Sequence, residues 1–154
     1  MTTLVQVRDF MSHRRLAVVG VSRNAKDFTR TLFREFVNRG YDPVPVHPGV
    51  AEIEGRHCFE RIGEITPPVD AVLMLTPPAV TNEVVHDCAA AHVTHVWMYR
   101  ATGAGSVSPE AVEYCQANGI QVVAGECPFM FFPDCGFVHR VHGFVRRITG
   151  RYPS

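Results

Sequence analysis

The chain has 154 residues, 46% of them hydrophobic and 19% charged, and its 15 basic side chains balance 15 acidic ones. That length suits one domain with a single core and makes a second unexpected, and zero formal charge excludes a global field for nucleic acid or an anionic membrane. No apolar run approaches the roughly 20 residues that span a bilayer, and residues 1–15 are too polar for a signal peptide, so a cytoplasmic location is expected.

Hydrophobic runs alternate with helix-like stretches from end to end, the pattern of a mostly parallel sheet covered by helices. Residues 3–11 read as a short helix. Leu16-Ala17-Val18-Val19 is a continuous apolar run ending at Gly20, as a central strand buried on both faces should look. Residues 28–39 place Leu32, Phe33, Phe36 and Val37 at helical spacing, with Thr29 as candidate N-cap and Gly40 as candidate C-cap. The second strand is expected at 44–47, short and irregular because Pro43 and Pro45 lack backbone donors. A helical turn is expected near 58–62.

Residues 71–75 read as the third buried strand, closed by Thr76-Pro77-Pro78. Proline suits the first helical position, and Val80, Val84, Val85 and Cys88 then form an apolar stripe on a helix running to about residue 91. Residues 95–98 give the fourth strand. Ser108-Pro109-Glu110 opens another helix with a serine cap and an acid near its positive end, and Gly119 ends it. Residues 120–124 make the fifth strand, 127–136 a loop rich in Phe and Pro, and 137–149 a basic amphipathic helix. The expected fold class is a three-layer, Rossmann-like α/β domain over residues 1–154, a five-stranded mostly parallel sheet with helices on both faces. Right-handed crossovers then place the strand ends at Gly20, His47, Leu75 and Met98 on one edge, where such folds bind ligands.

The first strand runs into Gly20-Val21-Ser22-Arg23-Asn24. A glycine there lets backbone amides approach a pyrophosphate at the positive end of the next helix, and Arg23 and Lys26 add charge. The dinucleotide fingerprint GxGxxG is not met, because Ser22 and Ala25 stand where the second and third glycines belong. Gly20 reads equally as a glycine required by a tight turn.

Further pieces follow in order: Gly40-Tyr41 before Val44-Pro45-Val46-His47-Pro48, Glu52-Ile53-Glu54-Gly55 with Cys58, Pro68-Val69-Asp70-Ala71-Val72 before Thr76-Pro77-Pro78, and Glu126-Cys127-Pro128. With the loop at Gly20 these make the chain, from Leu16 to about Pro128, resemble the small stand-alone CoA-binding proteins, relatives of the CoA-binding Rossmann domain of the succinyl-CoA synthetase α chain. The resemblance implies that amides at Val21, Ser22, Arg23 and Asn24 meet CoA phosphates and that the Val46-His47-Pro48 turn flanks the same ligand. It also implies an apolar wall from the strand end at Leu75 through Thr76, Pro77 and Pro78. Many relatives carry asparagine where this chain has His47. Arg100 follows the fourth strand on the ligand edge, as a phosphate partner or as a surface arginine.

The synthetase relatives use a phosphorylated histidine in a second domain, for which this chain has no room. None of the eight histidines can be placed with a nucleophile and an orienting acid from spacing. The expected function is therefore binding of coenzyme A or an acyl-CoA, with no catalytic constellation. Cys58, Cys88, Cys115, Cys127 and Cys135 lack CxxC pairing and suit free thiols, with Cys127 a candidate for a mixed disulfide with CoA. Cys127, Cys135, His139 and His142 match no compact zinc spacing, so no metal is expected. The tail, with Phe129, Phe131, Phe132, Phe137 and Phe144, packs on its own sheet or forms a homodimer face. Two rivals stand beside CoA binding: an NAD(P)-dependent oxidoreductase, disfavoured by His47-Pro48 where a ribose-binding acid belongs, and a protein-interaction module using the tail.

Overall fold

The structure, a computed structural model, describes residues 2–132. The elements follow in chain order as α1 (Leu4–Ser12), β1 (Arg15–Val19), α2 (Phe28–Asn38), β2 (Asp42–Val46), a hairpin of β3 (Glu52–Ile53) and β4 (Arg56–His57), β5 (Ala71–Met74), α3 (Pro78–Ala90), β6 (His95–Tyr99), α4 (Pro109–Ala117) and β7 (Gln121–Glu126). The five longer strands form one sheet in the order β2-β1-β5-β6-β7, every neighbour parallel. This is the doubly wound Rossmann-like arrangement, and its strand order reverses between β1 and β5. The expected helix at 137–149 and Cys135, His139 and His142 lie outside the described residues.

Side chains alternate across a strand, so β1 serves two cores. Leu16 and Val18 join Leu73 and Trp97 against Val7 and Phe10 of α1 and Leu32, Phe33 and Phe36 of α2. Ala17 and Val19 join Val72, Met74 and Met98 against Val85 and Cys88 of α3 and Ala111 and Cys115 of α4. Trp97 is fully buried, and its indole N–H donates to the Glu126 carbonyl at 2.9 Å. Phe132 packs edge-on to Phe36 with centroids 5.1 Å apart, so the described start of the aromatic tail covers the domain's own α2.

Four local expectations are corrected. β2 is as regular as its neighbours, in register with β1 from Arg15 opposite Asp42 to Val19 opposite Val46. Its prolines do no harm because Pro43, Pro45 and His47 point to the outer edge: the Pro45 carbonyl accepts from Phe59 N–H at 3.0 Å, and His47 N–H donates to Phe59 at 2.9 Å. Residues 58–62 are therefore no helical turn; Phe59 forms a parallel bridge beside Val46, and a 3-10 turn follows at Ile62–Glu64. The third correction concerns α3, where Thr81 with Val85 and Cys88 is buried while Val80 is 40% exposed. Last, α2 is capped by Asp27, not Thr29. The Asp27 carboxylate accepts from both the Thr29 amide at 2.9 Å and its hydroxyl at 2.7 Å, and the hydroxyl oxygen accepts from Ser22 N–H at 2.9 Å.

Gly20 ends β1 at φ +92°, a region that disfavours side chains, and a Cβ there would stand 2.9 Å from both the carbonyl carbon and the oxygen of Leu75. Substituting Gly20 with alanine is therefore expected to lower stability by about 1–3 kcal/mol through backbone strain and steric displacement of β5, measured by urea unfolding. Asp27→Ala is expected to cost about 1 kcal/mol as a lost N-cap. The Thr29 hydrogen bonds hold the Asp27 carboxyl below its usual range, so this contribution is present above the unfolded value of about 3.9 and fades as pH falls through the lower folded one. The stability gap between the parent and Asp27→Ala should narrow along that same acid limb.

Candidate functional site at the sheet switch point

β1 hands the chain to α2 on one face of the sheet and β5 hands it to α3 on the other, so their carboxyl ends diverge and leave a crevice. A cleft of about 520 Å³ occupies it. Val19 and Gly20 form its floor with Leu75, Thr76 and Pro77; Val46, His47 and Pro48 make one wall; Val80, Glu83, Val84 and Asp87 of α3 make the other; Glu60, Arg61 and Ile62 close one end. Gly20 N–H donates to Val46 at 3.4 Å and Leu75 N–H to Val19 at 2.8 Å, which fixes three strand ends around one point.

Of the residues expected at the site, Gly20, Val46, His47, Pro48, Leu75, Thr76 and Pro77 meet in this cleft. The Thr76 hydroxyl is occupied: Thr81 Oγ1 donates to the Pro77 carbonyl at 3.2 Å, so in its 2.7 Å contact with Thr76 it is Thr76 that donates. Thr76 therefore turns its methyl group toward Gly20, 3.0 Å from where a Cβ would stand. The Nδ1 of His47 lies 2.7 Å from the Pro48 carbonyl, which assigns the proton to that nitrogen. Pro78 is the first residue of α3 and half-buried, outside the lining.

The loop after Gly20 is built differently from a simple amide cradle. Val21 is fully buried, whereas Arg23, Asn24 and Lys26 are exposed. The Ser22 amide goes to Thr29, the Asn24 amide to Ser22 Oγ at 3.1 Å and the Lys26 amide to Asn24 Oδ1 at 3.0 Å. That leaves Val21 and Arg23 as the amides of residues 21–24 without a protein acceptor among the described residues. In the first turn of α2, Asp27 takes the amides of Thr29, Arg30 and Thr31, so the helix end expected to face a phosphate is already capped.

Arg30 and Arg34, which sequence reasoning passed over, hold this loop from beneath. Arg30 donates to the Ser22 carbonyl at 3.3 Å and the Arg23 carbonyl at 3.2 Å, and Arg34 to the Ala25 carbonyl at 2.5 Å. Glu54 Oε1, on the β3–β4 turn, lies 2.8 Å from the Arg30 guanidinium and 2.9 Å from that of Arg34. Partial desolvation raises the Glu54 carboxyl, but the hydrogen bonds and charge of both arginines outweigh it and hold the group below its usual range.

Arg23 and Lys26 form no ion pair among the described residues, and Arg23 Nη2 reaches across to the turn after β2, 3.3 Å from where a Cβ of Gly49 would stand. At the other end of the cleft Arg61 pairs with Asp87 at 2.7 Å, and Glu60 and Glu83 in the lining form no ion pair among the described residues. These four residues carry no motif. The signal for them is topological, residues 60–62 following the bridge at Phe59 and Glu83 and Asp87 following from the pitch of α3.

Arg100 is not brought to this cleft. It follows β6, one strand beyond the switch point, and is exposed with its guanidinium over Gly125, where a Cβ would meet Nη2 at 2.8 Å. Cys127 is 3% exposed beside Tyr99 and lies outside the lining of the cleft. Burial pushes the Cys58 thiol up and that of Cys115 up to about 11, so neither is activated as a nucleophile. No helix among the described residues is long and apolar enough to cross a membrane.

Comparison with curated proteins gives no match. Among solved structures, a hypothetical protein from Pyrococcus horikoshii OT3 superposes with a TM-score of 0.75 at 23% identity, covering 83% of this chain and 87% of that one. A conserved hypothetical protein from Pyrococcus furiosus gives 0.67 at 26% identity, covering 74% and 95%. The apo dinucleotide-forming acetyl-coenzyme A synthetase 1 of Ca. Korarchaeum cryptofilum gives 0.62 at 20% identity, covering 73% of this chain and 26% of that one. Residues 14–133, from just before β1 to just past the aromatic turn, match the CoA binding domain, and the chain belongs to that family.

Proposed function

We propose that the protein binds coenzyme A, free or acylated, across the β1/β5 switch point, with its phosphates over the loop at residues 21–26 and its apolar portion along Leu75, Thr76, Pro77 and Val84. The observation that carries this reading is the 520 Å³ cleft, floored by Gly20 and Leu75, in a chain of the CoA binding domain family. The aliphatic and proline side chains in its lining, among them Pro48, Leu75, Pro77 and Val84, bury an apolar group without ordering flexible chains. The charge for the phosphates comes from Arg23 and Lys26, with the Val21 and Arg23 amides as donors. His47 and Pro48 border the ligand from the β2 side. The site is assigned binding and no reaction.

The test is thermal shift and calorimetry on the purified protein with CoA, acetyl-CoA, NAD, NADP and ATP at equal concentrations. CoA compounds are expected to raise Tm selectively, by the equivalent of about 2.7 kcal/mol at a hundredfold excess over Kd. Val80→Trp, placed on an exposed position of α3 that lines the cleft, and Arg23→Glu, on the exposed loop, are each expected to weaken CoA at least about tenfold, some 1.4 kcal/mol, while leaving the Tm of the free protein near that of the parent. Absence of any CoA effect, or stabilisation by NAD in its place, would overturn the assignment. CoA binding that is indifferent to both substitutions would move the ligand elsewhere on the molecule.

A further inference from the structure

At the opposite end of the sheet three side chains from two elements converge. Asp9 and His13 stand four residues apart at the carboxyl end of α1, a spacing that places them one turn apart on one face. His95 is the first residue of β6, against which α1 packs. Its Nε2 lies 3.0 Å from Asp9 Oδ2, and its ring centroid is 4.5 Å from that of His13. One ligand atom from each of the three lies within 4.8 Å of the other two, and all three residues are half-buried.

His95 makes one polar contact through each ring nitrogen. With its proton on Nδ1, donated to Thr94 Oγ1 at 2.7 Å, the ring presents the Nε2 lone pair beside Asp9. In that tautomer Nε2 and Asp9 Oδ2, 3.0 Å apart, offer two lone pairs to one ion. The His13 ring, against that of His95, makes no hydrogen bond among the described residues. A metal ion uses all three groups.

We propose that Asp9, His13 and His95 form a binding site for a divalent transition-metal ion, with two imidazoles, one carboxylate and a coordination position open to water. Two imidazoles favour zinc, nickel or copper, and one carboxylate is too few oxygens for calcium or magnesium. An outer group that orients such a ligand is present, the Thr94 hydroxyl on His95 Nδ1. Metal–nitrogen bonds of about 2.0–2.1 Å set tetrahedral edges near 3.3 Å. The Asp9–His95 pair already meets that edge, and His13 closes the remainder by side-chain rotation without giving up a hydrogen bond among the described residues. The site lies at the amino end of β6, whereas the cleft lies at the carboxyl ends of β1 and β5, so the proposal is independent of the ligand held there.

The experiment is calorimetric titration of the full chain with Zn²⁺, with thermal unfolding in parallel and the visible spectrum of the Co²⁺ form. One ion per chain, a raised Tm and cobalt d–d bands without sulfur-to-cobalt charge transfer are expected. His13→Ala and Asp9→Asn should each reduce Zn²⁺ affinity by more than about tenfold, while keeping the metal-free circular dichroism of the parent. A parent that fails to bind Zn²⁺, affinity unchanged in both folded variants, or a sulfur-ligated cobalt spectrum placing the ion on cysteines would each overturn the proposal.

Discussion

The contact between Gly20 and the backbone of Leu75 is the constraint on which the site depends. β1 and β5 run side by side as far as Val19 and Met74, then turn to helices on opposite faces, and at that parting the two chains approach until no Cβ fits between them. Glycine is therefore required at position 20 by packing within the protein, whatever ligand is bound. The same absence of a side chain leaves the floor of the cleft as bare backbone. A turn glycine and a glycine open to a ligand are here one feature, because the geometry that joins the strands also makes the opening.

How much of this was legible in the sequence follows from how local each feature is. The buried strands stood out because burial on both faces leaves continuous apolar runs, as in Ala71-Val72-Leu73-Met74, and Ser108-Pro109 announced α4 by its cap. Asp27 and Thr29 both suit an N-cap and hydrogen-bond each other, so residue type alone did not separate them. The prolines of β2 were misread because their effect depends on which edge they face, a matter of parity against a neighbour. The hairpin β3–β4, two residues a side, is too short to show a period.

The site divides in the same way. Gly20, His47, Leu75 and Pro77 were legible as strand ends, and they meet in the cleft. Arg100 is a strand end too, yet it stands beyond β5, and only the strand order separates it from the switch point. Arg30, Arg34 and Glu54 were not legible as a unit, since the pairing joins a helix to a turn 20 residues or more away. The cluster of Asp9, His13 and His95 spans 86 positions in sequence, and only the packing of α1 beside β6 brings it together.

The neutral overall charge conceals a gradient across the cleft. Arg30 and Arg34 donate to the carbonyls of the loop and share the one carboxylate of Glu54, so they brace it and leave one net positive charge beneath it. Arg23 and Lys26, with no such partner among the described residues, set the potential over residues 21–26, and Glu60 and Glu83 set the opposite sign at the α3 side. A ligand charged evenly along its length would meet repulsion at one end. Coenzyme A carries its phosphates in its nucleotide half and ends in an uncharged thiol arm, so the gradient matches one direction of the proposed binding mode. In the proposed binding mode the arm would point toward the side walled by α3, and the phosphates toward the loop that Arg30, Arg34 and Glu54 hold in shape.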